Sequence, residues 1–533
     1  MIKPLHKIVV VGGGSAGWMT AAALIKAFPK KDISVIESPD VPTVGVGEST
    51  LGGINDYIQF LEIDEKDFMS FTDASYKMSI KFTDFYDKDA GGFHYPFGEP
   101  YVQGTHQGMN DWLVKKALYP ETPISDFVQC YSPLAALFEQ NKFDLNKSGQ
   151  FDNYNPVYDV AYHFDAAKFG EWLKEKYCIP RGVKHIPSTV VEIKVNDEGI
   201  EKLILKEDQE VTADLYIDCT GFKSILLGGA LKEKFISYSD MLPNNRAWAT
   251  RVPYKDKEKE IEPFTNSTAI GNGWVWNIPS WERLGTGYVY SDKFISPEDA
   301  KEEFKQHLMS NKMVCPRTRQ EVDSLEFKDI QMRVGIHERT FVKNCVAIGL
   351  SAGFIEPLES NGLFSVHEFL FNLIKVMLRD SVTQWDRDVY NATCFNMWRD
   401  FAQFVALHYA LSVRNDTEYW KANANRVYEP GLPLMEPQTA TGFYELQNKK
   451  MFGFLTLDNK GITWISVGMN YFMDDIIDVT LRQKAQGVNY KKAYEQIFQM
   501  LEARKAKWQK AAKDKPSLYQ YLKKNIHTKD YYK

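Results

Sequence analysis

Lys7-Ile8-Val9-Val10-Val11-Gly12-Gly13-Gly14-Ser15-Ala16-Gly17 is the stretch on which the fold turns. The run 7–11 is short and apolar, with no polar alternation after Lys7, as expected of a strand buried on both faces. Glycines follow at once, and 16–28 is rich in Ala and Leu, the composition of a packed helix. A second apolar strand, 33–36, ends at Glu37, completing the opening of a βαβ unit. Gly12, Gly14 and Gly17 fit G-x-G-x-x-G between strand and helix. The first glycine permits the tight turn, the second lets backbone approach a pyrophosphate, and the third allows close helix–strand packing. Gly13, Ser15 and Ala16 complete the cradle. Glu37 follows Gly17 by 20 residues, where a carboxylate can accept hydrogen bonds from ribose hydroxyls. The turn alone does not separate FAD from NAD, but an acid at that place disfavours NADP.

Outward from this unit, the pattern predicts strands at 76–83, 190–194, 202–206, 214–218 and 345–349. It predicts helices at 165–177, 363–379 and across much of 385–415 and 480–525. The strands at 214–218 and 345–349 share the buried character of the first strand, although they lie far from it in sequence. A cofactor domain assembled from separated segments accounts for that. The turn-rich stretches 88–105 and 145–157 read as loops over a site.

The chain has 533 residues, of which 44% are hydrophobic and 25% charged, so a packed core is feasible and wholesale disorder is excluded. Aromatic content is high, with 33 Phe, 28 Tyr and 12 Trp. Such side chains fill cores and also line pockets for flat ligands. Net charge is −6, yet residues 491–533 hold 12 Lys and Arg against 4 Asp and Glu. A solvated helical face is the expectation for this basic end, with an acidic partner or a neighbouring subunit as the alternative. No nucleic-acid motif accompanies it. Six scattered cysteines without a C-x-x-C pair argue against a zinc ribbon or disulfide scaffold. No signal segment precedes the first strand and no apolar run reaches membrane-spanning length. A cytoplasmic protein without nucleic-acid or membrane partners is expected.

Four further segments carry chemistry. Val44-Gly45-Val46-Gly47-Glu48-Ser49-Thr50 could pass close to a flat ring system or be an ordinary glycine loop. In 76–83 the residues alternate, with Met78, Ile80 and Phe82 on one side and Lys77, Ser79, Lys81 and Thr83 on the other. Periodicity does not choose between Lys77 and Lys81. Gly273-Trp274-Val275-Trp276-Asn277-Ile278-Pro279 sets two indoles on one face of a strand, as core or as cavity wall. Phe354-Ile355-Glu356-Pro357-Leu358-Glu359-Ser360-Asn361-Gly362 precedes a long apolar helix, where exposed amides can hold an anion or simply cap the turn. There is no HExxH, G-x-S-x-G or GxxxxGK[ST] pattern, so zinc hydrolysis, serine hydrolysis and ATP chemistry lose their best support.

Taken together, these segments resemble the flavin-dependent tryptophan halogenase family. Trp274 to Pro279 fits its WxWxIP signature and Phe354 to Gly362 its FxxPxxSxG. Gly45 to Thr50, Ala74 to Phe82 and Asp214 to Phe222 look like further family segments. The resemblance implies an α/β fold: a Rossmann-like FAD-binding domain of the p-hydroxybenzoate hydroxylase-like monooxygenase type, with an inserted substrate-binding sheet. Residues 1–380 would form the interleaved core, with FAD-binding segments at about 1–90, 160–225 and 330–380. Residues 381–533 would form a mostly helical region completing the substrate pocket. Flavin contacts carry over to Gly13, Ser15, Ala16, Ser38, Ser49, Val190, Leu350 and Leu363.

The resemblance also breaks the tie between the lysines, since Lys77 matches the family's catalytic lysine and Glu359 its catalytic glutamate. Ser360, Asn361 and Gly362 occupy the halide position, with Asn361 where relatives usually carry Thr. The implied chemistry takes FADH2 from a separate flavin reductase, with O2 and halide, and yields hypohalous acid. That acid reaches Lys77 for electrophilic substitution on an electron-rich ring, while Glu359 stabilises the cation or removes the ring proton. Trp274 and Trp276 would keep substrate apart from flavin. Tyr95 and Phe97 fall near the ring pocket. Relatives grip the amino acid of tryptophan with two aromatics, an acid and a further aromatic; the corresponding positions here are Phe443, Tyr444, Lys450 and Phe454. Lysine in place of the acid would repel an α-ammonium group. Another indole, phenol or heteroaromatic is therefore expected, with free-tryptophan halogenation, aromatic hydroxylation and non-catalytic flavin binding as alternatives. A homo-oligomer is expected.

Overall fold

The computed structural model describes residues 5–41, 47–102, 109–379, 381–425, 459–470 and 490–528. The chain divides into two compact units. One comprises 1–74, 162–247 and 329–402, and the other 75–161, 248–328 and 403–533.

The first unit is built on a six-stranded sheet. Its order is Phe341–Val342, Cys345–Ala347, Leu215–Asp218, Lys7–Val11, Asp32–Ile36 and Lys184–Ile186. All neighbours are parallel except the edge pair Phe341–Val342 with Cys345–Ala347. Ile8, Val9 and Val10 are fully buried, because helices cover both faces of such a sheet. Parallel pairing sends the C-terminal ends of the strands to one edge, where ligands bind in open α/β sheets. The strands near 214–218 and 345–349 therefore do join the first strand, by registers such as Val9 with Tyr216 and Tyr216 with Cys345. The helix after the glycine turn spans Ser15–Ala27. Residues 190–196 and 199–205 form an antiparallel hairpin extended by Glu210–Val211.

The second unit carries a seven-stranded sheet in the order Lys328–Gln331, Arg246–Pro253, Arg283–Tyr290, Gly273–Pro279, Phe264–Ile270, Ser79–Thr83 and Gly92–Pro96. Helix Pro297–Met309 packs on one face, burying Ala300, Phe304 and Leu308 against Val275, Leu284 and Tyr288. Period-2 alternation turns Trp274 and Trp276 to the opposite face. The expectation of a loop over 88–105 needs correction: Gly92–Pro96 is an edge strand paired antiparallel with Ser79–Thr83. Flanking Gly and Pro made it look like a turn.

The basic end is also corrected, since it is not simply a solvated face. Helix Tyr490–Lys513 pairs Lys505 and Lys507 with acids of its own unit. Lys505 Nζ lies 2.7 Å from Asp126 and 2.8 Å from Glu502, and Lys507 lies 2.6 Å from Asp152. Lys115 closes the box at 2.6 Å from Asp126 and 2.7 Å from Glu502. Asp126, Cys130 and Glu502 offer ligand atoms within 4.8 Å of one another, but two ammonium groups already bridge these carboxylates. Among the described residues no helix is long and apolar enough to cross a membrane.

Candidate active site

The glycine turn is shaped by close approaches. Gly12 has φ +117°, and a Cβ there would meet the Cys219 carbonyl oxygen at 2.2 Å. A Cβ on Gly17 would meet the Gly12 carbonyl oxygen at 1.8 Å, and one on Gly13 would strike the Glu37 side chain at 2.2 Å. A Cβ on Gly14, by contrast, would meet nothing within 4 Å. Gly14 also caps the helix Ser15–Ala27 with no side-chain hydrogen bond, so no side chain occupies the helix start. The Ser15 hydroxyl is spent on the Ala166 carbonyl at 2.8 Å, leaving its backbone for a ligand. Glu37 follows its strand, and its Oε2 accepts from Lys174 Nζ at 2.9 Å, which orients the carboxylate, with His185 beside it at 2.8 Å. These features fit the pyrophosphate and ribose of FAD.

The remaining flavin-contact candidates lie in the same unit. Ser38 shares a 2.7 Å hydroxyl hydrogen bond with Thr189, beside Val190. Leu350 sits in the turn Gly349–Ser351 just after the strand Cys345–Ala347 and is 38% exposed. Leu363 is buried in the first turn of helix Gly362–Met377. Of the segment 44–50, residues up to 46 lie outside the described residues. Glu48 and Ser49 form a two-residue strand paired with Phe164 and His163.

The anion-loop candidates are tied to that strand. Ser360 takes a left-handed conformation, φ +59°, and its hydroxyl lies 3.0 Å from the Ser49 hydroxyl. Glu359 and Asn361 are buried. Asn361 donates through Nδ2 to the Glu356 carbonyl at 3.3 Å, while Oδ1 has no hydrogen-bond partner among the described residues. Asn361 caps helix Gly362–Met377 without a side-chain hydrogen bond, so the helix-start amides stay available to an anion. Glu356, missed by sequence reasoning as a support, accepts from Asn244 Nδ2 at 2.8 Å beneath this loop.

In the second unit the two lysines are no longer equivalent. Lys77 is fully buried, whereas Lys81 is half-buried. Lys77 Nζ stands 5.0 Å from the centroid of the Phe97 ring. Phe97 and Tyr95 meet edge-on at 6.4 Å, and Tyr95 packs against Phe404 and Gly461. Gly461 belongs to helix Asn459–Gly468, which also lays Gly468 on Phe93. Its two glycines are the sequence signal for that close approach, visible only once a partner strand is known. Cross-strand register puts Phe93, Phe82, Ser267, Trp276 and Gly287 in one row on one face. Trp274 and Trp276 lie 6.2 Å apart on that face, both buried. A Cβ at Gly287 would strike the Trp276 ring at 2.2 Å, so this glycine makes room for the indole. Trp276 Nε1 has no hydrogen-bond partner among the described residues. The candidates Phe443, Tyr444, Lys450 and Phe454 lie outside the described residues.

Comparisons with known proteins agree on one family. The sequence model for tryptophan halogenases matches residues 7–453. Tryptophan 6-halogenase SttH of Streptomyces toxytricini is 36% identical over 448 residues, covering 80% of this chain and 82% of that protein. Among solved structures, the apo structure of VirX1 superposes with a TM-score of 0.88 at 37% identity, covering 98% of this chain and 100% of that one. BrvH, a flavin-dependent halogenase from Brevundimonas sp. BAL3, gives 0.81 at 27% identity, covering 97% and 99%.

Proposed function

The chain belongs to the tryptophan halogenase family, and from that premise we propose that it halogenates an electron-rich indole, phenol or heteroaromatic other than free tryptophan. Its class is that of the flavin-dependent halogenases, which draw on FADH2 and a halide ion. When bound, reduced flavin supplies the oxidising step that turns O2 and halide into hypohalous acid. Everything else falls to the chain's own residues.

In this reading the amides at Asn361 and Gly362 hold the halide, and Ser360 is set by its hydroxyl contact with Ser49. Lys77 orients hypohalous acid by donating a hydrogen bond from its ammonium group, or carries the halogen as a haloamine. Burial and the adjoining Phe97 ring keep that ammonium directed and shielded from water. Glu359 accepts the proton released from the ring or stabilises the cation formed on it. Trp274 and Trp276 exclude substrate from the flavin side, which favours halogenation over hydroxylation. The substrate class rests on Lys450, the nearest fit, by the spacing of the family's aromatics, to the acid with which relatives would pair an α-ammonium group.

The observation that carries the reading is the buried Lys77 on the aromatic face of Phe97, in a chain matched by the halogenase family over residues 7–453. Purified protein with FAD, a flavin reductase, NADH and bromide, offered indoles, phenols and free tryptophan, tests it by mass spectrometry of the products. Brominated indole or phenol with little bromotryptophan is the expected result. Preferential bromination of free tryptophan would overturn the substrate assignment.

A further inference from the structure

Glu48 is a carboxylate with no role in the reaction described above. It lies beside the loop read as the halide site. A Cβ built on Gly362 would stand 3.4 Å from Glu48 Oε2, so this oxygen borders the first residue of helix Gly362–Met377. The next residue, Ser49, is fastened to Ser360 at 3.0 Å, which holds the strand Glu48–Ser49 against the loop. The start of one helix thus borders two candidate negative charges, a halide and a carboxylate. They compete for the same field.

We propose that Glu48 is a proton-operated gate for the halide, which enters beside Gly362 only with a neutral Glu48, so that ion and proton are taken up together. The inference rests on the reading of Ser360, Asn361 and Gly362 as the halide loop. Glu48 acts as a positioning residue: neutral, it can donate its O–H toward the ion; ionised, it repels it.

The surroundings put the protonation step in a useful range. Glu48 is half-buried, and the loss of water around its carboxyl pushes it up to about 7, with the negative charge of Asp165 adding to the rise. Asp165 is itself fixed, accepting from the Ala167 and Lys168 amides at 3.0 and 3.3 Å. The other titratable groups on the packed elements are His163, opposite Ser49, and Glu356 and Glu359 in the turn before the helix. Lys168 follows Asp165, but its ammonium is paired with Asp73 at 2.6 Å and so offers little compensation.

Chloride binding can be read directly by the line width of the 35Cl resonance, with and without FAD, using bromide as the competitor. The wild-type chloride affinity should weaken by up to about 30-fold between about pH 6 and about pH 8.5, the slope of one linked proton. Glu48→Gln, with thermal unfolding confirming its fold, should bind chloride equally well across that range. A wild-type affinity that does not change with pH, or a Glu48→Gln variant with the wild-type slope, would overturn the gate. Absence of any bromide-displaceable chloride site at every pH would overturn the halide-loop reading, and the gate with it.

Discussion

Lys77 Nζ lies 5.0 Å from the centroid of the Phe97 ring, and both side chains are buried in the same unit. The contact sets an ammonium over the negative face of an aromatic ring, worth about 1–2 kcal/mol once water is excluded. Phe97→Leu keeps an apolar side chain and removes that face. Halogenation turnover should fall about 5- to 30-fold, with the thermal midpoint lowered by no more than about 5 °C. Steady-state rates and an unfolding scan of the same preparation check both parts.

Gly287 and Trp276 form a second complementary pair. A Cβ at Gly287 would stand 2.2 Å from the indole and 2.6 Å from the Trp248 carbonyl oxygen, which is backbone and yields little. Gly287→Ala should destabilise the protein by about 1–3 kcal/mol through overpacking. Urea unfolding, with the slope unchanged and the midpoint lowered, is the measurement.

The Asp126 box predicts acid sensitivity. Burial alone would raise the Asp126 carboxyl, but hydrogen bonds and charges from Lys115 and Lys505 outweigh it and hold it below the usual carboxylate range. A depressed folded-state value contributes stability that is complete above the unfolded value, near about 4, and is lost as pH falls through the folded value. Asp126→Asn should therefore destabilise at neutral pH by about 1–3 kcal/mol, because Lys115 and Lys505 lose their buried partner and keep only the more exposed Glu502. The difference from wild type should shrink as pH drops below about 4. Thermal midpoints measured against pH test this.

Asn361→Ala separates backbone from side chain at the halide loop. If helix-start amides hold the ion, chloride affinity should change less than about 10-fold, a difference under about 1.4 kcal/mol. The same 35Cl line widths read it. A larger loss would give the Asn361 side chain a direct part in binding.

The glycine-turn unit was legible because strand, turn, helix and acid follow one another within the 31 residues from Lys7 to Glu37, where local sterics decide the outcome. The distant strands at 214–218 and 345–349 were legible by their uniform apolar character, a property of parallel strands covered on both faces. Strand Lys184–Ile186 was missed, being three residues long with two of them polar. Strand Gly92–Pro96 was missed because its flanking glycines and prolines carry turn signals, and only pairing with Ser79–Thr83 overrides them.

At the candidate site, period-2 alternation narrowed the choice to Lys77 or Lys81 and went no further. The structure separates them: Lys77 ends the short strand Ser75–Lys77 and lies over Phe97, whereas Lys81 lies within Ser79–Thr83 over Phe264, contacts between segments that no single strand displays. The Glu356–Asn244 and Gly287–Trp276 pairs escaped for the same reason, since each joins separate strands or loops. Charge counting found the basic end but not its partners, because Asp126 and Asp152 lie more than 300 positions before Lys505 and Lys507.

The most direct test of the account divides the oxidation of halide from its delivery. Wild type and Lys77→Ala would each be supplied with FAD, a flavin reductase, NADH and bromide, together with either a soluble trap for hypobromous acid or an indole substrate. The account predicts that Lys77→Ala still brominates the soluble trap, while its bromination of the indole falls by about 10²-fold or more. Lys77→Ala that brominates the indole at the wild-type rate, or wild type that yields hydroxylated indole alone, would contradict it.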